Sequence, residues 1–367
     1  MFVASGYTRS QTRRDERRAA VAERALHGVN LTGWLTLEPW VTPELFADSG
    51  ALEEPDLVSA VGRRGYNDRV SRHRASFLGE SDFRQIAARG FNAVRLPVPW
   101  YVFGDAGPNP GPFLGCVDLV DAAFDWADGI GLKVVLALAV NPGAEGHEAD
   151  LVHNHDDFRR YRDDLVSVVA ALAKRYASRV AFSAIEVADE PAMQVRRGLS
   201  VIPGVPPHQL RNYYRSCYEA VRGIAGEDLV VVVPDAGQPG AWRHFMSQDR
   251  YHNVWLDSHL YHYADHVDSS GPVGIRMLTD RSRKSVELAG SSGLPVMVGK
   301  WCASLPFSDT VTTPEGRIAL ERVFSSEQIG AFRSCPAWFF QTWKTEGRLP
   351  GWDARVALAS FERRMLG

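Results

Sequence analysis

Short apolar runs recur along the chain at fairly regular intervals, and most of them are separated by stretches with helical spacing of apolar residues. Runs of this length, rich in valine, isoleucine, leucine and alanine, are typical of parallel strands that are buried on both faces. The predicted strands are His27–Leu35, Asn92–Pro97, Lys133–Ala139, Phe182–Val187, Leu229–Pro234, Val254–Leu260, Val296–Gly299 and Ala337–Thr342. The amphipathic stretches predict helices at Val117–Ile130, Phe158–Tyr176, His208–Ile224 and Ile318–Phe332.

Eight strands that alternate with helices, with no glycine-rich phosphate loop after the first, favour a single α/β unit, a (β/α)8 TIM barrel, over a doubly wound sheet. Residues 1–26 are predicted to form an N-terminal arm or helix, and residues 27–367 to form the barrel. The segment Glu38–Glu80 is too long for a simple loop. It predicts extra helices over the barrel mouth after the first strand.

Candidate functional residues follow from the barrel itself, because active sites of this fold are built at the carboxyl ends of the strands. The run Leu294–Ala303 brings Lys300 to such an end, and the run Ala184–Pro191 brings Asp189 and Glu190. We therefore predict a chemical centre at these three residues. The other candidates at strand ends are Glu38, Arg95, His259, Tyr261, Trp301, Trp338 and Gln341.

Composition narrows the class of protein without identifying the reaction. The 367 residues are 45% hydrophobic and 23% charged, which is ordinary for a soluble globular protein. The formal net charge of −3 gives no reason to expect nucleic acid or an anionic membrane as a partner. No apolar run approaches the ~20 residues that span a bilayer.

The cysteines and the start of the chain suggest a compartment. The four cysteines are scattered without paired spacing, and the first thirty residues show no apolar leader pattern, so we expect free thiols and a cytoplasmic location. The histidine-bearing loop Gly146–Asp156 matches no four-ligand spacing. We expect no metal, and no dinucleotide or P-loop fingerprint predicts a cofactor.

Several motifs resemble one family. The segments Gly28–Phe46, Gly90–Pro97, Ile185–Pro191, Leu256–Tyr261 and Trp338–Trp352 are similar, in this order, to the strand motifs of exo-β-1,3-glucanase-type enzymes in glycoside hydrolase family 5. The resemblance implies a TIM barrel, a saccharide or glycoside as the small-molecule partner, and an acid/base role for Glu190. It also implies sugar-contacting or carboxylate-orienting roles for Glu38, Arg95, His259 and Tyr261.

The departures from that family pattern lie at the inner site. The family has its nucleophile in Gly-Glu-Trp on the seventh strand, where this chain has Lys300. The asparagine before the acid/base is Asp189, and the platform tryptophan of the eighth strand falls on Gln341. The Asp-Leu-His of the third strand reads Ala137 to Ala139.

These replacements bear directly on the chemistry. A retaining glycosidase needs two carboxyl groups about 5–5.5 Å apart, one protonated and one ionised. Lys300 cannot supply the attacking carboxylate, and its ammonium would lower the pKa of Glu190 and keep that group ionised. An inverting pair of Asp189 and Glu190 is disfavoured because adjacent strand residues point to opposite faces.

Three roles for Lys300 stay open at this point: an ion pair with Asp189 or Glu190, a catalytic amine with a lowered pKa that forms a Schiff base or acts as a base, and a charge partner for an acidic ligand group. Arg95 either holds the carboxylates of the fourth strand or contacts a ligand. Trp301 and Trp338 either stack on a sugar or fill the core.

The function we expect is that of a divergent family 5-like protein in specialised metabolism, which acts on a sugar-bearing or polyhydroxylated small molecule without ordinary retaining hydrolysis. One alternative is a non-catalytic saccharide-binding protein. Another is a glycosidase with residual or surrogate-nucleophile activity.

Overall fold

The computed structural model describes residues 25–106, 112–140, 155–191, 193–197, 200–306, 313–359 and 361. Within these residues, eight parallel strands close into a barrel in chain order, and two further strands form an antiparallel hairpin. The barrel strands are β1 (Leu26–Asn30), β2 (Ala93–Pro99), β3 (Lys133–Val140), β4 (Phe182–Glu186), β7 (Val230–Pro234), β8 (Val254–Leu260), β9 (Val296–Trp301) and β10 (Ala337–Phe340). The hairpin strands are β5 (Gln194–Arg197) and β6 (Ser200–Pro203). The predicted (β/α)8 barrel is confirmed, whereas the predicted arm lies almost entirely outside the described residues.

Helices connect most of the barrel strands. They are α1 (Pro43–Phe46), α2 (Glu54–Phe77), α3 (Glu80–Ala88), α4 (Val117–Ile130), α5 (His155–Tyr176), α6 (Pro207–Ala225), α7 (Pro272–Gly290), α8 (Pro314–Ala331) and α9 (Ala354–Ala357). The four predicted helices correspond to α4, α5, α6 and α8, and α7 is an addition that the sequence pattern did not predict. Among the described residues, no helix is long and apolar enough to cross a membrane.

Extra helices do follow the first strand, as the length of Glu38–Glu80 predicted. Helix α2 is anchored by Arg74, whose buried guanidinium donates to the carbonyls of Leu35 and Leu114 at 2.9 and 2.8 Å. The indole of Trp34 donates in turn to the carbonyl of Arg74 at 2.9 Å. These contacts fix α2 against the loops that leave the carboxyl ends of β1 and β2.

The barrel interior is apolar at its base. Side chains from alternate strand positions fill it, and most of them are small or of medium size: Leu26, Ala93, Val135, Ala184, Val232, Met297, Ala337 and Phe339. The intervening positions, such as Val94 and Leu96 of β2, join the larger core between strands and helices. By this alternation Arg95 enters the barrel one layer above Ala93.

Strand β9 breaks the alternation. Met297 pairs with Asp257 and Lys300 with His259, so three steps along β9 match two along β8. The same mismatch occurs against β10, where Val298 pairs with Trp338 and Trp301 with Phe340. One extra residue therefore lies in β9, a bulge that changes which face the following side chains take. Because of it Lys300 faces the barrel interior, and Trp301 faces the layer of helices.

Candidate functional site

The site is built around Arg95, whose side chain is fully buried. Its Nε and Nη2 donate to the two carboxylate oxygens of Glu186 at 2.7 and 2.8 Å. Nη2 also donates to Asp189 at 2.8 Å, and Nη1 donates to Asn30 Oδ1 at 2.9 Å. A planar guanidinium suits this two-pronged contact, which fixes the position of both carboxylates. Of the two roles left open for Arg95, the geometry matches the orienting one.

Lys300 lies beside the same cluster and makes ion pairs on one side of it. Its Nζ is 2.6 Å from Asp189 Oδ2 and 3.5 Å from Glu190 Oε1. The lysine side chain is 9% exposed. An ammonium buried to this degree needs charged partners, and Asp189 and Glu190 supply them.

Glu190 is bound from a second direction by His259. The Nδ1 of His259 lies 2.6 Å from Glu190 Oε1, and its Nε2 lies 3.0 Å from Asp257 Oδ2. With a carboxyl group at hydrogen-bond distance from each ring nitrogen, the geometry suits an imidazolium that donates from both nitrogens. Asp257 in turn accepts from the backbone nitrogen of Gly299 at 2.6 Å. A Cβ at position 299 would lie 2.1 Å from that carboxylate, which explains the glycine.

The charges shift the pKa values of the central groups. Burial alone lowers the pKa of Lys300, but Asp189 and Glu190 outweigh it and hold the pKa above its usual range. Burial raises the pKa of Glu190, yet Lys300 and the hydrogen bond from His259 bring it well below its usual value. For Asp189, Lys300 and Arg95 overcome burial in the same way and lower the pKa. The lysine is therefore protonated and both carboxyl groups are ionised.

His259 should make stability depend on pH above neutrality. Burial lowers its pKa, but Asp257 and Glu190 raise it to about 10 from a usual value of 6.5. The folded state then binds a proton more tightly than the unfolded state. The resulting stabilisation is complete below pH 6.5 and is lost as the pH rises from 6.5 through about 10. We expect the melting temperature of the parent protein to fall across this window, and a scan by circular dichroism measures it.

The matched comparison uses two variants. His259→Gln removes the titrating ring and should flatten the profile between pH 6.5 and 10. His252→Gln changes a half-exposed histidine, 3.6 Å from Glu227, and should keep the parental slope. Equal slopes in the parent and in His259→Gln would contradict the imidazolium assignment.

The other candidates at strand ends differ in how far they lie from the barrel interior. Gln341 is buried at the end of β10, where its Oε1 accepts from Thr32 Oγ1 at 3.0 Å. Glu38 lies further out and accepts a hydrogen bond from the indole nitrogen of Trp40 at 2.8 Å. Tyr261 follows β8 and contacts Trp352, with ring centroids 5.6 Å apart. Glu38 is close enough to Lys300 to add to the raising of its pKa.

Of the two roles left open for Trp301 and Trp338, the geometry matches core filling, whereas the expectation for the directions of Asp189 and Glu190 is wrong. Trp301 and Trp338 are 0% and 1% exposed and pack against each other, and Trp301 also packs against Phe332, so neither presents a ring face to the cleft. Asp189 and Glu190 do not point to opposite faces, because β4 ends at Glu186 and both lie in the turn beyond it. Glu190 adopts a left-handed backbone with φ 46°, and both carboxylates converge on Lys300.

Sequence reasoning missed Glu186, Asn30 and Asp257. Each is a polar residue inside a predicted strand, and each is buried. The signal was present for Glu186 and Asp257, because a charge in a buried strand needs a partner of opposite charge, and for Asn30, because a buried amide needs hydrogen-bond partners. The partner could not be named, because Glu186 and Arg95 are far apart in the chain and meet only when the barrel closes.

One group of side chains has the spacing of a metal site. Ligand atoms of Glu186, Asp189 and His259 lie within 4.8 Å of one another. Their donors are already engaged, since Arg95 binds both carboxylates and His259 is protonated. A cation there would adjoin resident positive charges, so the residues present do not fit a metal. The predicted histidine loop at 146–156 lies almost entirely outside the described residues.

Comparisons with known proteins agree on one family. Residues 61–314 match the model of the cellulase family, glycosyl hydrolase family 5. A probable glucan 1,3-beta-glucosidase of Emericella nidulans is 30% identical over 382 residues, which cover 93% of this chain and 90% of the relative. A similar protein of Aspergillus clavatus is 29% identical and covers 91% of this chain and 86% of its own length.

Solved structures share the fold. The crystal structure of a rutinosidase from Aspergillus niger superposes with a TM-score of 0.71 at 18% identity, covering 90% of this chain and 92% of that one. An endoglucanase of Thermotoga maritima gives a TM-score of 0.60 at 15% identity, with 94% and 98% covered. At these identities the likeness concerns the barrel alone.

Proposed function

This chain belongs to the cellulase family, glycosyl hydrolase family 5, and from that premise we propose that it binds saccharides or glycosides at the barrel mouth without ordinary retaining hydrolysis. The proposal has two parts: the class of ligand that the protein binds, and the absence of ordinary retaining hydrolysis. The ligand class rests on the family and on the names of the relatives, two of which are probable glucan 1,3-beta-glucosidases. The claim that retaining hydrolysis is absent rests on the charges around Glu190.

The observation that carries the proposal is the pair of cations on Glu190. Lys300 Nζ lies 3.5 Å from its Oε1, and His259 Nδ1 lies 2.6 Å from the same oxygen. A general acid must hold a proton to give to the leaving group, and two cations at this distance keep Glu190 ionised. By the family resemblance, Lys300 also stands at the position of the attacking carboxylate. Neither half of the usual two-carboxylate mechanism is then available.

Asp189 does not replace the missing partner. It is bound by Arg95 at 2.8 Å and by Lys300 at 2.6 Å, and it is ionised together with Glu190. An inverting reaction needs one acid and one base, and this site offers two carboxylates that both lack the proton.

Lysine chemistry is also disfavoured. A lysine that forms a Schiff base or acts as a base at neutral pH needs a lowered pKa, so that a neutral amine is present. The pKa of Lys300 is raised instead, because Asp189 and Glu190 outweigh the effect of burial. The ion pair is therefore the role of Lys300 on which the proposal relies.

Two measurements on the full chain test the proposal. Isothermal titration calorimetry with β-1,3-linked glucose oligosaccharides should show binding, because the chain has the barrel of a family in which two of its relatives are named for glucans. An aryl β-glucoside should release no aryl alcohol above the rate of a Glu190→Gln control, because no proton is available from Glu190. If the parent hydrolyses the glucoside and Glu190→Gln does not, the claim that retaining hydrolysis is absent is wrong. If the parent binds none of the saccharides, the proposed class of ligand is wrong.

A further inference from the structure

We propose that Asn30 and Asp257 are positioning residues for Lys300, because their side chains bind the backbone of Gly299 and so keep the ammonium inside the barrel. The inference deepens the proposed absence of retaining hydrolysis, on which its functional consequence rests, by naming the residues that hold Lys300 beside Asp189. The contacts themselves do not depend on which ligand the protein binds.

Strand β9 has one extra residue, and the pairing on its two sides locates that residue at Gly299. Against β8, the interval from Met297 to Lys300 contains one residue more than the facing interval, so the extra residue is Val298 or Gly299. Against β10, the longer interval runs from Val298 to Trp301, so the extra residue is Gly299 or Lys300. Only Gly299 satisfies both conditions. A bulged residue leaves the regular ladder, and its buried backbone groups need other partners.

Two buried side chains bind the backbone of this residue. The nitrogen of Gly299 donates to Asp257 Oδ1 at 2.6 Å, and its carbonyl oxygen accepts from Asn30 Nδ2 at 2.9 Å. Asn30 and Asp257 are 0% and 1% exposed, so both hydrogen bonds form away from solvent. Removing either side chain takes a partner from a buried backbone group, and such a group is costly to leave without one.

Asn30 also connects Gly299 to the arginine that orients the carboxylates. Its Oδ1 accepts from Arg95 Nη1 at 2.9 Å, and Arg95 Nη2 donates to Asp189 at 2.8 Å. Asp189 Oδ2 lies in turn 2.6 Å from Lys300 Nζ. The backbone that carries Lys300 and the carboxylate that receives its ammonium are therefore fixed relative to each other through Asn30.

Asp257 makes a corresponding connection through the histidine. Its Oδ2 lies 3.0 Å from His259 Nε2, and His259 Nδ1 lies 2.6 Å from Glu190 Oε1. Lys300 Nζ is 3.5 Å from the same oxygen of Glu190. One carboxylate therefore binds both the backbone of β9 and the imidazole, and an amide in its place can separate these two roles.

The two hydrogen bonds to Gly299 decide which face Lys300 takes. With Gly299 in the strand, regular alternation from Met297 would put Trp301 inside the barrel and Lys300 on its outer face. The bonds to Asn30 and Asp257 favour the bulged arrangement, in which the ammonium reaches its carboxylate partners. We therefore expect their loss to release the ammonium from those partners more often.

Acylation of lysines in the full chain measures how often the ammonium of Lys300 is released. The acetyl ester of N-hydroxysuccinimide reacts with an accessible, neutral amine, and peptide mass spectrometry gives the rate at each lysine. Asn30→Ala should raise the rate at Lys300 at least about tenfold, which corresponds to ~1.4 kcal/mol. The rate at Lys174, an exposed lysine of α5, is the internal reference and should not change.

Asn92→Ala is the matched control for a general loss of stability. Asn92 Nδ2 donates to the carbonyl of Ala25 at 2.8 Å, and its Oδ1 accepts from the backbone nitrogen of His27 at 2.7 Å. These bonds join the amino ends of β1 and β2, away from β9. Asn92→Ala should therefore leave the rate at Lys300 close to that of the parent. Thermal melts of each variant report whether it is folded.

A second pair of variants separates the backbone contact of Asp257 from its charge. Asp257→Asn keeps an oxygen for the N–H of Gly299 and removes the negative charge beside His259. It should keep Lys300 as slow to react as in the parent. Asp257→Ala removes the oxygen as well and should raise the rate at Lys300. If one alanine variant does not fold, the other alanine variant gives the decision.

The outcomes distinguish this inference from the proposed function. Faster acylation of Lys300 in Asn30→Ala and Asp257→Ala, but not in Asn92→Ala or Asp257→Asn, supports the positioning role. A parental rate in a folded Asn30→Ala overturns it, and so does an equal rise in Asn92→Ala. A protein that shows the supporting pattern and binds no saccharide loses the proposed class of ligand and keeps the positioning residues.

Discussion

Lys300→Glu is expected to destabilise the protein by at least about 3 kcal/mol, the lower end of the cost of breaking a buried ion pair. The substitution exchanges the ammonium 2.6 Å from Asp189 and 3.5 Å from Glu190 for a third carboxylate in the same buried space. Repulsion among three carboxylates adds to the loss of the pair. Urea denaturation of the parent and the variant at pH 7 measures the difference in unfolding free energy.

The double variant Asp189→Asn with Lys300→Glu is the matched control, because it places two carboxylates in the buried space where Lys300→Glu alone places three. We expect it to regain part of the lost stability, since the repulsion is smaller but the ammonium is still missing. An aryl β-glucoside assay on the same protein should show little recovered hydrolysis, because the family resemblance implies that Ala139 and Gln341 also replace residues of the inner site. Parental stability of Lys300→Glu alone would show that the ammonium does not balance these carboxylates. Robust hydrolysis in either variant would show that Ala139 and Gln341 matter less than argued.

Arg95→Leu is expected to cost about 3–5 kcal/mol and to lower soluble expression. The guanidinium is fully buried and binds Glu186 through two nitrogens, with further bonds to Asp189 and Asn30. Removing the guanidinium leaves the buried carboxylates of Glu186 and Asp189 without the cation that binds both of them. Denaturant titration and the soluble fraction after expression report the effect.

Arg84→Leu serves as the control for Arg95→Leu. Arg84 pairs with Glu80 at 2.6 Å on an exposed face of α3, where ion pairs contribute between about 0 and 1 kcal/mol. The same change of residue type should therefore leave stability almost unaltered. Similar losses in both variants would mean that leucine itself, and not the broken network, causes the destabilisation.

The barrel was predictable because it depends on patterns that lie within each element. Apolar runs such as Lys133–Ala139 mark strands, and the stop of α4 at Gly131 follows from its left-handed φ of 78°, which glycine adopts without strain. Helix α7 was not predicted from the sequence because charged and small residues interrupt its apolar positions. Its stripe becomes visible only where Ile275, Leu278 and Phe324 of α8 pack together.

Only some members of the site were predictable, and their directions were not. Strand ends selected Lys300, Asp189, Glu190 and His259 correctly as neighbours, since the carboxyl ends of parallel strands share one edge. Side-chain direction depends on register, and register is a relation between strands that a single strand does not contain. Strict alternation from Met297 would have placed Trp301 inside and Lys300 outside.

The extra residue in β9 makes the direction of the side chains beyond it depend on how the neighbouring strands pair as well as on residue type. Deleting Gly299 would leave Met297, Val298, Lys300 and Trp301 in regular alternation, so Lys300 would still face the interior and Trp301 the layer of helices. Gain or loss of this single codon therefore changes the length of the strand without turning the ammonium toward the indoles.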